Sequence, residues 1–262
     1  MNLRKLPRRA AARFLVKTEL CRKILIPRDG YTVRFHPASF SAGLWVYPEY
    51  GLRDEALLRA YLRAGDCYVD VGANIGTLAL TAAHIAERVF AIEAHPRTFT
   101  FLQENIELNQ SKNVTLLNRA VGEREGEVFF SDLPDDDQNH ILRRETGIRV
   151  ASVTLDSLEL PPISLLKVDV EGFEKFVFLG AAQTLQRTAC VYFESFAPQY
   201  ARYGCEGRDV YRVLESAGLT VYRRKDRNLI PIEESHVSRQ CENLLAIRDA
   251  ADFRQRTGWA AA

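Results

Sequence analysis

Hydrophobic and polar positions along the chain follow two alternating periods, which predict strands and helices in succession. Short apolar runs predict buried strands, and apolar residues spaced about three or four apart predict helices. The predicted strands are 31–35, 67–71, 89–93, 114–117, 127–130, 164–169, 189–194, 219–223 and 243–248. The predicted helices are 54–62, 77–86, 97–109, 173–185 and 207–217. This order is typical of a doubly wound α/β fold with a mainly parallel sheet, in which ligands bind at the carboxyl ends of the strands.

One junction between a predicted strand and a predicted helix indicates a cofactor site. The strand 67–71 carries a single acid, Asp70. The candidate binding residues in the turn that follows are Gly72, Ala73, Asn74 and Gly76. Glycines permit positive φ and close approach of the backbone to a ligand, and the first N–H groups of the next helix face the end of the strand. The next strand ends at Glu93, roughly 20 residues further on, where an acid suits a bidentate bond to a ribose diol.

The spacing of these glycines separates two classes of cofactor. A dinucleotide site has the motif G-x-G-x-x-G, which seats a pyrophosphate on the helix N-terminus. Here three residues separate Gly72 from Gly76, and Asp70 precedes them. A looser loop with an acid at its mouth fits an amino-acid tail joined to a ribose better than a diphosphate. We therefore expect S-adenosylmethionine (SAM). The alternatives are NAD, in an oxidoreductase, and a glycine-rich turn without a ligand.

A second group of acids is predicted at the same edge of the sheet. The segment 167–172 ends a strand and contains Asp169 and Glu171, and Glu194 ends the next strand. Either Asp169 or Glu171 is expected to accept a proton from a substrate hydroxyl, with burial raising the pKa of the carboxyl group. The alternative is that Asp169 or Glu171 caps the helix that follows and that Glu194 forms an ion pair with an arginine. These oxygens are also of the kind that Mg²⁺ or Ca²⁺ accepts, but no defined ligand spacing predicts a metal site.

The region 131–149 is polar and predicts a long exposed loop, or lid, that closes a substrate pocket. Its centre reads Asp135, Asp136, Asp137, Gln138, Asn139 and His140. His140 is a further candidate base, and its alternative role is that of a solvated surface side chain.

Composition and charge predict one domain with a basic extension. The chain has 262 residues, of which 47% are hydrophobic, so it can bury one sizeable core. Residues 1–30 hold nine Lys and Arg against two acids, a net of +7, which leaves −6 for the rest of a chain whose total is +1. We expect an N-terminal helical extension that packs on the domain; the alternative is contact of residues 1–28 with an anionic membrane surface. The predicted parts are an extension (1–45), a main domain (46–250) and a tail (251–262).

Several classes of protein are disfavoured by what the chain lacks. No uninterrupted apolar run is long enough for a membrane span or a signal peptide, so a cytoplasmic location is expected. The five cysteines show no C-x-x-C spacing, which argues against structural zinc and against a disulfide framework. No Asn/Asp-Pro-Pro-aromatic run ends the central strand, which argues against methylation of nucleobases, and the near-neutral charge predicts no broad basic face for nucleic acid.

Several motifs in a fixed order resemble one protein family. They are D-V-G-A-N-I-G at 70–76, Glu93, A-V-G at 120–122, T-L-D at 154–156, K-V-D-V-E-G at 167–172 and N-L-L-A-I at 243–247. Over about residues 45–248 the chain is similar to the FkbM-type family of SAM-dependent methyltransferases. The resemblance implies a class I methyltransferase fold, with a seven-stranded Rossmann-like sheet. It also implies O-methylation of a hydroxyl group on a sugar, a glycan or a polyketide-type small molecule.

The same resemblance implies roles for individual residues. Asp70 and the glycine turn would form the cofactor loop, and Glu93 would bind the ribose hydroxyls. Segment 119–122, with Ala120 and Val121, would lie beside the adenine. Asp169, also a cofactor contact, would face the transferring methyl group together with Glu171, and Glu55 would reach the methionine amino group. The chain departs from the family at Ala94-His95-Pro96, where Glu-Pro-x-Pro is more usual. A non-catalytic, membrane-peripheral binding module is the remaining alternative.

Overall fold

The computed structural model describes residues 6–133, 138–233 and 235–261. Within these ranges the α-helices are α1 (Leu6–Lys17), α2 (Ser39–Val46), α3 (Leu52–Tyr61), α4 (Thr77–Ala83), α5 (Pro96–Leu108), α6 (Glu174–Leu179), α7 (Ala182–Gln186), α8 (Ala197–Arg202), α9 (Gly207–Ser216) and α10 (Ala250–Thr257). The strands are β1 (Leu25–Pro27), β2 (Thr32–Arg34), β3 (Cys67–Val71), β4 (Arg88–Ile92), β5 (Val114–Leu117), β6 (Ala120–Val121), β7 (Gly126–Phe130), β8 (Ile141–Leu142), β9 (Ile148–Val153), β10 (Ile163–Val168), β11 (Thr188–Ser195), β12 (Thr220–Lys225), β13 (Asn228–Pro231), β14 (Glu242–Ile247) and β15 (Ala260–Ala261).

A mixed sheet of nine strands forms the centre of the described chain. Its order is β5-β4-β3-β10-β11-β14-β12-β13-β15. The strands from β5 to β11 pair in parallel, whereas β14 runs antiparallel between β11 and β12. The predicted α/β class is confirmed, but the prediction of seven strands is wrong. The hairpin partner β13 and the short β15 extend the edge beyond β12, and neither has the apolar run that identifies a buried strand.

Apolar side chains fill both faces of this sheet, as the strand period of two requires. In β3, Tyr68 packs into one core while Val69 and Val71 pack into the other. Helices α3, α4 and α5 cover the first core, and α6 and α9 cover the second. With both faces covered, the carboxyl ends of the parallel strands are the place where polar side chains gather.

A small second sheet occupies part of the predicted lid. Strand β8 lies within 131–149 and β9 begins at its end, and both join β6 and β7 in the order β6-β9-β7-β8. The predicted long exposed loop thus contains a strand in its described part, and its role as a lid stays a prediction. Residues 134–137, which include the predicted acidic centre Asp135 to Asp137, lie outside the described residues.

The predicted helix 173–185 is divided into α6 and α7. A Cβ atom added at Gly180 would lie 2.0 Å from the carbonyl oxygen of Gly122. The two backbones are in direct contact there, so Gly180 separates the two short helices instead of lying within one.

Helix α1 packs on α2 through its arginines. The Arg8 guanidinium lies 5.0 Å from the ring centroid of Trp45, and Arg9 lies over the ring of Tyr47 and donates a hydrogen bond to its hydroxyl. Cation–π contacts of this kind contribute about 0.5–1 kcal/mol at exposed sites. Two of the basic side chains of the extension thus contact aromatic rings of the same chain. No helix in the described part of the chain is both long and apolar enough to span a bilayer.

The segment predicted to be a tail, 251–262, is folded where it is described. Helix α10 packs on α3, with the rings of Tyr61 and Phe253 stacked at 5.1 Å. Arg256 forms an ion pair with Asp66 at 2.8 Å, and β15 pairs with β13. Helix α10 has only eight residues, and its polar, alanine-rich sequence is too weak a pattern for prediction.

Candidate active site

A cavity of about 430 Å³ opens at the carboxyl ends of β3, β4, β10 and β11. Its volume is within the range of about 300–1,000 Å³ that is usual for small-molecule sites. The carboxylates in its wall are those of Asp54, Asp70, Glu93, Asp169, Glu171 and Glu194. The basic residues in its wall are Lys167 and Arg119. The structure therefore brings together the acids that the two strand-end motifs predict.

The glycine turn has the left-handed backbone that its sequence favours. Gly72 has φ 84°, Asn74 has φ 48° and Gly76 has φ 91°. Asparagine tolerates this region because its side chain bonds locally, and here Asn74 Oδ1 accepts a hydrogen bond from the N–H of Ile75 at 2.7 Å. A Cβ atom on Gly72 would lie 1.8 Å from the carbonyl oxygen of Asp169. The turn is therefore in direct contact with the acid segment that follows β10, whereas Gly76 packs behind it against Leu102.

Glu93 is held in place by two backbone groups. Its Oε2 accepts a hydrogen bond from the N–H of Asn74, and its Oε1 accepts one from the N–H of His95, both at 2.9 Å. The side chain is buried and lines the cavity. Each carboxylate oxygen can accept more than one hydrogen bond. The arrangement thus provides a fixed bidentate acceptor of the kind that a ribose diol requires.

Asp70 is a buried acid with unused hydrogen-bonding capacity. The residue is 2% exposed, and its Oδ2 has no hydrogen-bond partner among the described residues. Burial raises the pKa of this carboxyl to about 7, with the Lys167 charge acting in the opposite direction and Asp169 reinforcing the rise. A buried, unpartnered acceptor in a cavity wall fits a ligand that supplies an N–H donor or a positive charge.

Three further acids form a cluster beside this turn. One oxygen from each of Asp169, Glu171 and Glu194 lies within 4.8 Å of the other two. Burial and the neighbouring carboxylates raise the pKa of Glu171 to about 9, and burial with Asp169 also raises the pKa of Glu194. Lys167, which is buried, places its Nζ 3.0 Å from Asp169 Oδ2. At neutral pH the cluster therefore combines an ion-paired carboxylate with a carboxyl that retains its proton.

The cluster has the oxygen donors of a divalent-cation site, but protein groups already contact each acid. The ammonium of Lys167 contacts Asp169, Gln199 Nε2 donates to Glu171, and Cys241 Sγ donates to Glu194 at 2.8 Å. A lysine ammonium next to the would-be ligands opposes a cation. These contacts give no support to a Mg²⁺ site, which the sequence analysis left as an alternative.

Glu55 does not line the cavity. It lies behind the cavity wall, where it pairs with Arg28 and accepts a hydrogen bond from the hydroxyl of Tyr31 at 2.9 Å. The preceding residue, Asp54, lines the cavity instead and accepts a hydrogen bond from Tyr192. Successive helical residues point about 100° apart. Two adjacent acids on α3 therefore point in different directions. Asp54 faces the cavity, and Glu55 faces the core.

His140 is also outside this cavity. Its Nδ1 lies 2.9 Å from the carbonyl oxygen of Gln138, and burial lowers the pKa of its imidazole. Its ring borders a second cavity, whereas the flanking Asn139 and Ile141 line the first. The structure does not bring His140 to the acid cluster, which leaves it without support as a base.

An apolar wall completes the cavity on the side of β4 and β6. Ala120 and Val121 are buried there, and Ala94 and Phe130 line the same space. The sequence motifs predict Ala120 and Val121 at the site but not Phe130, which belongs to no motif. Asn243 was also not predicted as a site residue, although this residue opens the N-L-L-A-I motif and pairs with Glu194 across β11 and β14.

We expect the stability of the protein to fall as pH rises from about 5 to about 9. Burial raises the pKa of Asp70 to about 7, of Glu174 to about 8 and of Glu171 to about 9. Between the ordinary values and these raised values the unfolded chain has released protons that the folded chain retains, so the free energy of unfolding decreases with pH. Urea unfolding across this range measures the slope.

A Glu174→Gln variant should show a shallower slope, because its amide cannot ionise and Glu174 is fully buried. Replacement of the exposed Glu215 by Gln is the matched control and should keep the wild-type slope. Stability that increased steadily from pH 5 to pH 9 would contradict the assignment of raised pKa values.

Several known proteins are similar to this chain. A profile of the family described as Methyltransferase FkbM domain matches residues 70–254. Hexuronic acid methyltransferase AglP from Haloferax volcanii is 31% identical over 215 residues, which cover 78% of this chain and 85% of that protein. Among solved structures, methyltransferase FkbM from Methylobacillus flagellatus KT has 15% identity and a TM-score of 0.44, covering 93% of this chain and 59% of its own. TYW2 from M. jannaschii, solved with AdoMet, has 14% identity and a TM-score of 0.46, covering 85% of this chain and 83% of its own.

Proposed function

The chain belongs to the FkbM family of methyltransferases and is a SAM-dependent methyltransferase, and on this premise we propose that it methylates a hydroxyl oxygen of a sugar or glycan. One observation carries the proposal. The glycine turn with Glu93 and the acid cluster with Asp169 line the same cavity, so a cofactor-binding half and a proton-accepting half lie side by side.

The residues of the first half fit the parts of SAM, which supplies an electrophilic methyl group when bound. Glu93 offers its two fixed oxygens to the ribose diol. Asp70 and Asp54 offer acceptors to the amino group of the methionine moiety, and Asp54 takes the role that the resemblance gave to Glu55. Ala94 and Phe130 offer an apolar surface to the adenine ring.

The residues of the second half fit an acceptor that must lose a proton. A hydroxyl group is a weak nucleophile until a base accepts its proton, and a positioned carboxylate can do so. Asp169 is 35% exposed in its side chain, so an acceptor can reach it, and Lys167 fixes its orientation. Glu171, which retains its proton at neutral pH, is suited to donate a hydrogen bond to the acceptor and not to take its proton.

Charge favours a hydroxyl over a carboxylate as the methyl acceptor. Six acidic and two basic side chains line the cavity; although Glu171 keeps its proton at neutral pH, acids still outnumber bases there, so an anionic acceptor group beside Asp169 would be repelled. The relative AglP is named for hexuronic acid, a sugar that carries hydroxyl groups as well as a carboxylate. This likeness supports a sugar as the acceptor over a polyketide.

SAM is expected to raise the melting temperature of the protein, whereas NAD is not. A ligand present at 100 times its dissociation constant stabilises the folded state by about 2.7 kcal/mol. For a chain of this size that corresponds to a shift of roughly 5–10 °C. Thermal unfolding with each cofactor in turn measures it. Stabilisation by NAD alone would favour the oxidoreductase interpretation.

The reaction itself is tested by incubating the protein with SAM labelled in its methyl group and a panel of sugars and sugar acids. We expect label in a product that survives mild alkaline hydrolysis, because an ether resists base whereas a methyl ester releases methanol. Alkali-labile label would show that a carboxylate is the acceptor. Cofactor binding without transfer to any member of the panel would contradict a sugar methyltransferase and favour a binding module.

A further inference from the structure

A second cavity, of about 340 Å³, opens beside the first and has a basic lining. Arg143, Arg144 and Arg202 line it together with His140, and we call this feature the arginine groove. Ile141 belongs to the walls of both cavities, so the groove and the active site share a side. Among the described residues, no acid lines the groove.

A hydrogen bond joins the arginine groove to the segment that carries the acid cluster. Arg202 Nη1 donates a hydrogen bond to the backbone carbonyl of Glu171 at 3.2 Å. The buried hydroxyl of Tyr203 donates to the carbonyl of Ile141 at 2.8 Å, which fixes β8 against the end of α8. Arg143 lies on the same side, since its Nη1 is 3.8 Å from where a Cβ atom on Gly204 would stand. Two elements of the fold thus hold the arginines at the border of the active site.

The three arginines lie close together, and none of them has an anionic partner among the described residues. Arg149, in the small sheet, pairs with Glu127, and Arg208, at the start of α9, pairs with Glu206. Over the ranges 6–133, 138–233 and 235–261, no carboxylate forms an ion pair with Arg143, Arg144 or Arg202. Three neighbouring positive charges repel one another, and an anion bound between them relieves that repulsion.

We propose that the arginine groove binds the carboxylate of a sugar acid and that a hydroxyl of the same molecule is the methyl acceptor at Asp169; this inference rests on the proposed function. The guanidinium fork matches the two oxygens of a carboxylate. The two cavities have opposite charge, so the carboxylate is attracted to the groove and repelled from the acid cluster. The charge pattern therefore sets both the choice of acceptor and its orientation.

The test compares the methyl glycoside of glucuronic acid with the methyl glycoside of glucose, which differs in having a neutral group in place of the carboxylate. We expect wild-type kcat/KM to favour the glucuronide. In an Arg143→Ala/Arg144→Ala variant this preference should fall by roughly 10- to 100-fold, mainly through KM, because charge-assisted hydrogen bonds are lost. Arg143→Lys/Arg144→Lys, which keeps the charge but loses the fork, should give an intermediate preference.

Arg149→Ala is the matched control, because it removes an exposed arginine of the same small sheet that does not line the groove. It should keep the wild-type preference. The KM for the glucuronide should also rise with sodium chloride concentration, since exposed charges are screened by salt, while the KM for the glucoside should not.

The outcomes separate this inference from the proposed function. If neither glycoside nor any other sugar is methylated, both fail. If both glycosides are methylated equally well, or if the double alanine variant keeps its preference, the inference is overturned and the proposed function stands. A preference for glucose 6-phosphate over the glucuronide would overturn the assignment of a carboxylate. An alkali-labile product from the glucuronide would place its carboxylate at the methyl group and would overturn the inference as well.

Discussion

Replacing Asp169 by Asn is expected to lower kcat by roughly 100- to 10,000-fold, the range over which positioned acid–base groups contribute to catalysis. The amide keeps the size of the carboxylate but cannot accept the proton of a hydroxyl group. Steady-state methyl transfer at pH 7 measures the loss. Titration with SAM, followed by fluorescence or calorimetry, should show that the cofactor still binds, because the glycine turn and Glu93 are unchanged.

Glu171→Gln is the matched comparison for this variant. Burial raises the pKa of Glu171 to about 9, so at pH 7 this residue already carries a proton and glutamine resembles its protonated form. The variant is therefore expected to retain most of its activity at pH 7. Severe loss in Glu171→Gln with little effect of Asp169→Asn would assign the base to Glu171. Full activity in both variants would show that neither carboxylate is the base.

A fall in activity must also be separated from a fall in stability. Asp169→Asn removes the carboxylate that is ion-paired with Lys167, whose side chain is 3% exposed and whose other neighbours include Asn243 Oδ1 at 3.5 Å and the more distant charge of Glu194. An unpaired buried charge is destabilising. The double variant Asp169→Asn/Lys167→Met removes that charge as well. Low activity in a double variant that unfolds like the wild type would assign the loss to chemistry.

Gly72→Ala is expected to lower the free energy of unfolding by about 2–5 kcal/mol. A left-handed backbone costs a residue with a Cβ atom about 1–2 kcal/mol, and forcing extra atoms into a packed site costs about 1–3 kcal/mol more. Both costs apply, because Gly72 has φ 84° and its Cβ would lie 1.8 Å from the carbonyl oxygen of Asp169. Relief of this clash must separate β3 from β10, so binding of SAM should be lost too. Urea unfolding and cofactor titration measure the two effects.

Gly65→Ala is the control that isolates the clash. Gly65 has φ 91°, but no heavy atom lies within 4 Å of where its Cβ would stand. The control therefore carries only the conformational cost of about 1–2 kcal/mol. If Gly72→Ala were no more destabilising than Gly65→Ala, the close contact between the glycine turn and the end of β10 would be wrong.

The sequence was sufficient to predict the central strands and insufficient for the edges of the fold. Strands β3 and β5 have the predicted bounds because an apolar run between polar turns marks a buried strand clearly. Strands β8 and β15 are short and lie at sheet edges, and β13 is followed only by the two-residue β15, so the alternation of apolar and polar residues is weak in all three. Their position depends on pairing with distant strands, which local periodicity does not contain.

The same division applies to the candidate site. Asp70, Glu93, Asp169 and Glu171 were predictable because each lies at or shortly after the carboxyl end of a parallel strand, and such ends meet at one edge. Asp54 was missed because only packing decides which of two adjacent acids on α3 faces the cavity. The arginine groove was missed because exposed arginines have no periodic signature, and α8, which brings Arg202 to Glu171, was not predicted at all.

Strand β14, which lies between β11 and β12, also has a consequence for the order in which the chain folds during its synthesis on the ribosome. The edge of β11 pairs with residues 242–247 and with no earlier strand on that side. While residues 196–241 are being translated, that edge presents unpaired N–H and C=O groups beside an apolar core. Such an edge is a template for aggregation. The nascent chain therefore passes through a stage in which about half of the sheet has formed and one edge of β11 is unpaired. A chaperone that binds this edge would prevent its aggregation.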